Sequence, residues 1–184
     1  LLALLFVLAP ARAWAGDRWS EPLPGVRYLH RTTGDPWSIH LAVIDLRRPG
    51  VRLVATASEE RRRTVSSFAR KKGAQIAVNG DFFEFNQYST IGPSMGNGAS
   101  WGRPDTAQHG QLAHGGGRTE LIEPAASLGP EPWMREVVSG HPLIVRDGRP
   151  LDGSDDPQLC RARHPRTAVG LSQDKGTLYL LVVD

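Results

Sequence analysis

The chain has 184 residues, of which 40% are hydrophobic and 22% are charged, with 20 glycines and 14 prolines. This balance is typical of a globular domain rather than a disordered chain, and the glycines and prolines favour a loop-rich fold over a helical bundle. The formal net charge of +3 is too small to predict nucleic-acid binding. Cys160, the only cysteine, excludes an internal disulfide and is interpreted as an incidental free thiol.

The first fifteen residues are typical of an export signal. The apolar run of residues 1–10 is shorter than the roughly 20 residues that a membrane-spanning helix needs. Small residues at Ala13 and Ala15 follow it, as at a signal-peptidase cleavage site. We therefore predict a signal peptide over residues 1–15 with a clipped start, and a secreted or periplasmic protein without stable membrane insertion. A buried N-terminal strand or helix is the less favoured interpretation.

The first half of the mature chain predicts strands and one helix. Alternating apolar residues over Trp37–Leu46 and a second run at Val51–Ala55 indicate two antiparallel strands joined at a Pro-Gly turn. Thr64 is suited to cap a short helix that ends at Gly73. Gln75–Val78 is a short apolar strand.

The second half is predicted to begin with a long loop. Residues 84–132 are rich in glycine, proline, serine and asparagine, which is typical of a functional or mobile loop. A strand is expected over Val137–Val145, and a hairpin over Arg166–Asp184 with its turn at residues 174–176. The predicted fold is one mixed α+β domain, dominated by sheet, with a few short helices.

Two other sites are considered and disfavoured. Residues 92–96 read Gly-x-Ser-x-Gly and residues 114–117 read His-Gly-Gly-Gly, a combination that suggests a serine esterase. In that fold the second motif precedes the first and a helix follows the serine, whereas residues 97–102 would form a poor helix. The histidines at positions 109, 114, 141 and 164 match no zinc-ligand spacing, so we expect no metal and no cofactor.

Three segments combine into a more specific pattern. Asn79 and Gly80 follow a strand and precede two phenylalanines. Ser139 and Gly140 open a strand that leaves through the turn at residues 147–148. The third segment, Arg-Thr-Ala-Val-Gly at residues 166–170, begins the hairpin that ends in an aspartate.

In this order the three segments resemble the phosphodiester glycosidase family, which includes the catalytic domain of the N-acetylglucosamine phosphodiester uncovering enzyme. The resemblance covers about residues 75–184, and its third segment is the most specific. In the family a further Asn-Leu-Asp-Gly-Gly-Gly-Ser segment follows the hairpin. The resemblance therefore implies that a C-terminal part is missing and that the chain alone is inactive. Asp81 stands where the family often has a small residue, so no catalytic role is carried over to it.

The resemblance implies a hydrolase that cleaves the sugar–phosphate linkage of a glycosyl phosphodiester or of a phosphate-containing glycan such as an exopolysaccharide. Phosphate is already a good leaving group, so a fixed cation to receive its charge matters more than an acid to protonate it. Arginine binds phosphate bidentately, so Arg166 is the predicted phosphate ligand and Asp184 the predicted sugar-side carboxylate. The predicted substrate-binding residues are Asn79, Gly80, Gly140 and Thr167.

Two alternatives stay open at this point. Arg166 and Asp184 can instead form a salt bridge that closes the hairpin, which stabilises little when exposed. The protein can also be a non-catalytic envelope module that binds polysaccharide by stacking sugar rings on Trp101 and Trp133.

Overall fold

The computed structural model describes residues 16–35, 37–103, 109–124, 129–152 and 157–184, so the predicted signal segment lies outside it. The strands are β1 (Gly16–Leu23), β2 (Val26–Thr32), β3 (Ser38–Asp45), β4 (Phe83–Glu84), β5 (Ser89–Thr90), β6 (Ser94–Gly96), β7 (Ala99–Trp101), β8 (Gly110–Gly115), β9 (Arg118–Ile122), β10 (Glu136–Gly140), β11 (Val145–Arg146), β12 (Arg149–Pro150), β13 (Arg166–Leu171) and β14 (Thr177–Val183). The helices are α1 (Val65–Lys72) and α2 (Pro157–Arg161), with a 3₁₀ turn at Ser58–Glu60. This confirms the predicted sheet-dominated α+β class.

Ten of the strands form two five-stranded antiparallel sheets. The first sheet has the order β1-β2-β3-β14-β13, and the second has the order β7-β6-β10-β8-β9. Two further pairs, β4 with β5 and β11 with β12, are short hairpins. The first sheet therefore joins the start of the described chain to its last hairpin.

The hydrophobic core lies against one face of the first sheet, which we call the inner face. It is centred on Val26, Ala42, Ile44 and Leu178, all less than 9% exposed. Leu112 of β8 packs against this cluster, so the second sheet covers this half of the inner face. A second cluster on the other face of the second sheet contains Met95, Ala113, Met134 and Val137.

The predicted helix and the two strands with strong local signals are confirmed. The hydroxyl of Thr64 accepts a hydrogen bond from the backbone N–H of Ser67 at 3.2 Å, and Gly73 ends α1 in the left-handed conformation. β3 occupies most of Trp37–Leu46, and β13 pairs with β14 from Arg166↔Val183 to Leu171↔Leu178. In the described part of the chain, no helix is long and apolar enough to cross a membrane.

Two predicted strands, Val51–Ala55 and Gln75–Val78, belong to neither sheet. Both edges of β3 are occupied, by β2 and β14, so Val51–Ala55 runs unpaired although Leu53 packs against the core. The N–H of Ala55 donates instead to a carboxylate oxygen of Glu136 at 2.7 Å. Gln75–Val78 is likewise not paired as a strand, although Ile76 packs against the core.

The predicted long loop over residues 84–132 is wrong, because most of the second sheet lies within it. Several of its strands have only two or three residues, too few to show a hydrophobic period. Glycines that look like loop residues permit close packing instead: a Cβ on Gly115 would lie 2.1 Å from the carbonyl oxygen of Trp133. The predicted strand Val137–Val145 is also divided, since β10 ends at Gly140 and a cis His141–Pro142 bond follows.

Candidate functional site

The inner face of the first sheet is apolar at one end and polar at the other. Alternation along the strands places every second residue on this face, and cross-strand partners share it. Every second residue along a strand, counted from its core residue, lies on the inner face. At the polar end, one row of cross-strand partners on this face contains Arg18, His30, His40, Val182 and Thr167.

The neighbouring positions of that face are polar as well. Ser38 lies on it two residues before His40, and its N–H and C=O exchange 2.8 Å hydrogen bonds with the C=O and N–H of Asp184. Tyr28 lies on it two residues before His30. We call the following residues the polar end of the sheet: Arg18, Tyr28, His30, Ser38, His40, Thr167 and Asp184.

Asn79 meets the polar end through Thr167. The hydroxyl of Thr167 donates to the Oδ1 atom of Asn79 at 2.5 Å, although the two residues are 88 positions apart. Because Oδ1 accepts the hydrogen bond from this hydroxyl, the amide NH₂ of Asn79 is left to donate elsewhere. Gly80, the next residue, packs closely against β10, because a Cβ there would lie 2.5 Å from Cγ1 of Val138.

Asp81 fixes the Asn79 segment to β10. Its Oδ1 atom accepts hydrogen bonds from the N–H of Ser139 at 2.7 Å and from the hydroxyl of Ser94 at 3.0 Å, and its own N–H donates to the C=O of Ser139 at 3.2 Å. Its backbone is left-handed, with φ of 58°. Burial outweighs these two hydrogen bonds and raises the pKa of Asp81 to about 6. Sequence reasoning missed this anchoring role.

Ser94 is therefore part of a buried hydrogen-bond network rather than an esterase nucleophile. It is 3% exposed, lies within β6, and also bonds the hydroxyl of Thr90 at 3.0 Å. β6 is followed by β7 and not by a helix, which agrees with the sequence argument against a serine elbow.

The structure places Arg166 and Asp184 on opposite faces of the sheet. Arg166 pairs with Val183, so Asp184, one residue later, points to the inner face and Arg166 to the outer face. The Nη2 atom of Arg166 donates to the carbonyl oxygens of Leu159 and Ala162, at 2.9 and 3.0 Å. In the described residues these two side chains form no ion pair, so the salt-bridge alternative finds no support.

The structure brings some of the remaining predicted site residues together and leaves Gly140 apart from them. Thr167 and Asn79 are brought together, and Asp184 shares their face of the sheet. Gly140 lies at the exposed end of β10, and a Cβ there would meet no atom within 4 Å. Its predicted contact with substrate stays a prediction.

A cluster of four side chains in the polar end was not predicted. The rings of His30 and His40 are stacked with centroids 4.6 Å apart and planes 7° apart. Their Nε2 atoms lie 3.0 and 2.9 Å from the hydroxyl of Ser38, and Nδ1 of His40 lies 2.6 Å from the hydroxyl of Tyr28. The alternation of β2 and β3 gives the face of each histidine, but only the register between the strands shows that they are partners.

The comparison with known protein families decides which family this architecture represents. The family model described as phosphodiester glycosidase matches residues 72–184, more than half of the chain. The protein belongs to the phosphodiester glycosidase family. No curated protein matches the chain.

The family match covers only one side of the polar end. Asn79, Arg166, Thr167 and Asp184 all lie within the matched residues, as does Asp81. The stacked histidines, on β2 and β3, precede the residues that the family model matches. The polar end thus combines residues of the family region with residues that belong to the preceding strands.

Proposed function

We propose that the protein hydrolyses the linkage between a sugar and a phosphate in a glycosyl phosphodiester or a phosphate-containing glycan. Membership of the family supports hydrolase chemistry of the glycosidase type. The observation that carries the proposal is the hydrogen bond between Thr167 and Asn79. It joins two segments of the family region at the polar end of the sheet, where donors, acceptors and a carboxylate share one face.

In the proposed reaction water attacks the anomeric carbon, the bond from that carbon to the phosphate oxygen breaks, and the phosphate leaves with the electron pair. The NH₂ group of Asn79 donates a hydrogen bond to an oxygen of the substrate. Asp184, exposed on the same face, faces the sugar and accepts the proton of the attacking water. The leaving phosphate needs a cation to stabilise its charge.

Arg166 is proposed as that cation. Its side chain leaves β13 on the face opposite to Asp184 and Thr167, so the proposal requires the substrate to extend past the end of the sheet where β13 begins. Among the described residues, its Nη2 atom bonds the carbonyls near α2, and a phosphate can be bound through Nε and Nη1. A hydrogen bond to a charged group contributes about 1.5–3 kcal/mol, so Arg166→Ala is expected to lower kcat/KM for a glycosyl phosphodiester roughly 10–100-fold. Steady-state sugar release by the purified full-length protein measures this.

Arg163→Ala is the matched control, because Arg163 is an exposed arginine on the same connection between α2 and β13. It is expected to leave kcat/KM unchanged. A lower melting temperature of Arg166→Ala with unchanged kcat/KM would show that Arg166 only anchors α2. If the full-length protein encoded by the gene releases no sugar from any glycosyl phosphodiester, the proposed function itself is wrong.

We also propose that the protein is exported, as the apolar run and the small residues Ala13 and Ala15 indicate. Expression with its natural leader should give a processed protein outside the cytoplasm whose N-terminus lies near Gly16. Mass spectrometry of the intact protein and N-terminal sequencing check this. A protein recovered in the cytoplasm with residues 1–15 attached would contradict export.

The binding-module alternative receives no specific support from its two tryptophans. The indole N–H of Trp101 donates to the C=O of Thr56 at 2.8 Å, and that of Trp133 donates to Glu131 at 2.8 Å. The guanidinium of Arg118 lies 4.4 Å from the ring centre of Trp133 and covers it. Both side chains therefore have internal contacts, and neither presents a plainly free ring for a sugar.

A further inference from the structure

A group of exposed aromatic rings follows Asn79 closely in the chain. The hairpin of β4 and β5, with the turn that joins them, contains Phe83, Phe85 and Tyr88. We call these side chains the aromatic hairpin. Phe83 is 51% exposed and Phe85 is 75% exposed. A single exposed apolar side chain is ordinary, whereas adjacent exposed rings are typical of a surface that binds another molecule.

The rings of the aromatic hairpin are held against one another before anything binds. The ring centroid of Tyr88 lies 5.6 Å from that of Phe83 and 5.9 Å from that of Phe85. The turn itself is closed by a hydrogen bond from the N–H of Tyr88 to the C=O of Glu84 at 2.7 Å. The surface is therefore preformed, and binding to it requires little further ordering of side chains.

An arginine with unused hydrogen-bond donors lies on the aromatic hairpin. The guanidinium carbon of Arg62 is 4.8 Å from the ring centroid of Tyr88, which is a cation–π contact. A guanidinium stacked on a ring keeps its five N–H donors in its own plane, and among the described residues none of those of Arg62 has an acceptor. The backbones of Arg62 and Tyr88 are both left-handed, with φ of 63° and 52°. Residues with a side chain adopt this conformation uncommonly, and such residues cluster at binding sites.

The positive charge of Arg62 is not compensated within the hairpin. Glu84 is the only acidic residue in the segment 82–91. Its carboxylate already binds Arg103 through two contacts, at 2.8 and 3.0 Å. An apolar ring on which a sugar can stack thus lies beside a free cation suited to phosphate, and this combination complements a glycan that carries phosphate.

We propose that the aromatic hairpin and Arg62 bind a phosphate-bearing glycan chain next to the linkage that is hydrolysed, with a sugar ring on Phe85 and a phosphate at Arg62. Phe83 is four positions after Asn79, so their Cα atoms are at most about 14 Å apart, a distance that a short run of sugar units spans. The inference rests on the proposed function for the choice of a phosphate-bearing glycan. It adds that the substrate is an oligomer or polymer and not the diester of a single sugar.

Calorimetric titration of the full-length protein measures this binding directly. The probe is a mannose oligomer joined by phosphonate links, in which a CH₂ group replaces the anomeric oxygen so that the links cannot be hydrolysed. Phe85→Ala and Arg62→Gln are each expected to weaken binding about tenfold. Phe85→Tyr keeps the ring and should bind as the unchanged protein does. A mannose oligomer with ordinary glycosidic links should bind the unchanged protein about tenfold more weakly, because it offers no phosphate to Arg62.

Trp19 and Arg27 provide a matched control on the outer face of the first sheet. Trp19 is 45% exposed, and the guanidinium of Arg27 lies 4.6 Å from its ring centroid, which is the same kind of contact. Trp19→Ala and Arg27→Gln should bind the phosphonate oligomer as the unchanged protein does. Unchanged affinity in Phe85→Ala and Arg62→Gln would overturn the proposal, and so would an equal loss of affinity in the control variants.

Kinetic measurements separate a failure of this inference from a failure of the proposed function. Phe85→Ala should lower kcat/KM about tenfold for a phosphodiester-linked mannose oligomer and leave it unchanged for mannosyl methyl phosphate, which has no further sugar to contact the ring. If the full-length protein hydrolyses neither compound but Phe85→Ala still loses affinity for the phosphonate oligomer, the proposed function is wrong and the glycan-binding surface stands. Binding to vesicles of anionic phospholipid that Phe85→Ala abolishes, without affinity for the oligomer, would overturn the inference in favour of a membrane.

Discussion

Replacement of Asp81 by asparagine is expected to make the protein more stable than the unchanged protein at pH 7, by as much as about 3 kcal/mol, and equally stable near pH 4. Both hydrogen bonds that the carboxyl group receives, from Ser139 and Ser94, end on Oδ1, which an asparagine retains. Asparagine also tolerates the left-handed backbone at this position. What the substitution removes is the charge, which burial makes costly.

The sign follows from the direction of the pKa change. Burial raises the pKa of Asp81 from 3.8 to about 6 in the folded protein, so the folded state binds the proton more tightly than the unfolded state. Stability from this group is therefore complete below pH 3.8 and is lost as the pH rises to about 6. At about 1.36 kcal/mol for each pH unit, the full loss amounts to about 3 kcal/mol.

Urea unfolding of both proteins between pH 4 and pH 8 measures this difference. Asp147→Asn is the matched control, because Asp147 is exposed and also has a left-handed backbone, with φ of 49°. That control should have nearly the same free energy of unfolding as the unchanged protein, because it removes no buried charge. An Asp81→Asn protein that is less stable at pH 7 would mean that the hydrogen bonds stabilise the ionised carboxylate more than burial destabilises it.

The features predicted correctly from the sequence are those that depend on neighbouring residues. The cap at Thr64, the glycine at position 73 and the turn within the last hairpin are local signals, and each lies where it was expected. The strands of residues 84–132 could not be predicted in this way. Their pairing joins β8 to β10 across more than twenty positions, and β6 has only three residues.

In the candidate site, too, individual residues could be predicted from the sequence, but the contacts between distant segments could not. Asn79 and Thr167 were both predicted, but their contact depends on how the segment after α1 crosses the sheets, because no ladder pairs that segment with β13. The opposite faces of Arg166 and Asp184 depend on register, since a shift of one residue exchanges the faces of a strand. The histidine pair depends on register in the same way, because neither residue is informative until its partner is known.

Loss of the Asn79 side chain is expected to cause the largest fall in activity. Its amide donates to the substrate only if the hydroxyl of Thr167 holds Oδ1 and turns the NH₂ group outward. Removal of one well-placed donor of this kind lowers the rate about 10²–10³-fold, which is the fall in kcat/KM expected for Asn79→Ala. Thr167→Val keeps the shape of the side chain but removes the hydroxyl. It should cost about tenfold, since the amide remains but is no longer oriented.

The double variant separates this orienting role from two independent contacts with substrate. If Thr167 acts through Asn79, then Asn79→Ala/Thr167→Val should be no slower than Asn79→Ala alone, because nothing is left to orient. If the losses of kcat/KM in the two single variants instead multiply in the double variant, each residue contacts the substrate separately. Asn86→Ala, which removes an exposed asparagine in the turn between β4 and β5, is the control and should leave kcat/KM unchanged. Full activity of Asn79→Ala would show that the reaction does not take place at the polar end of the sheet.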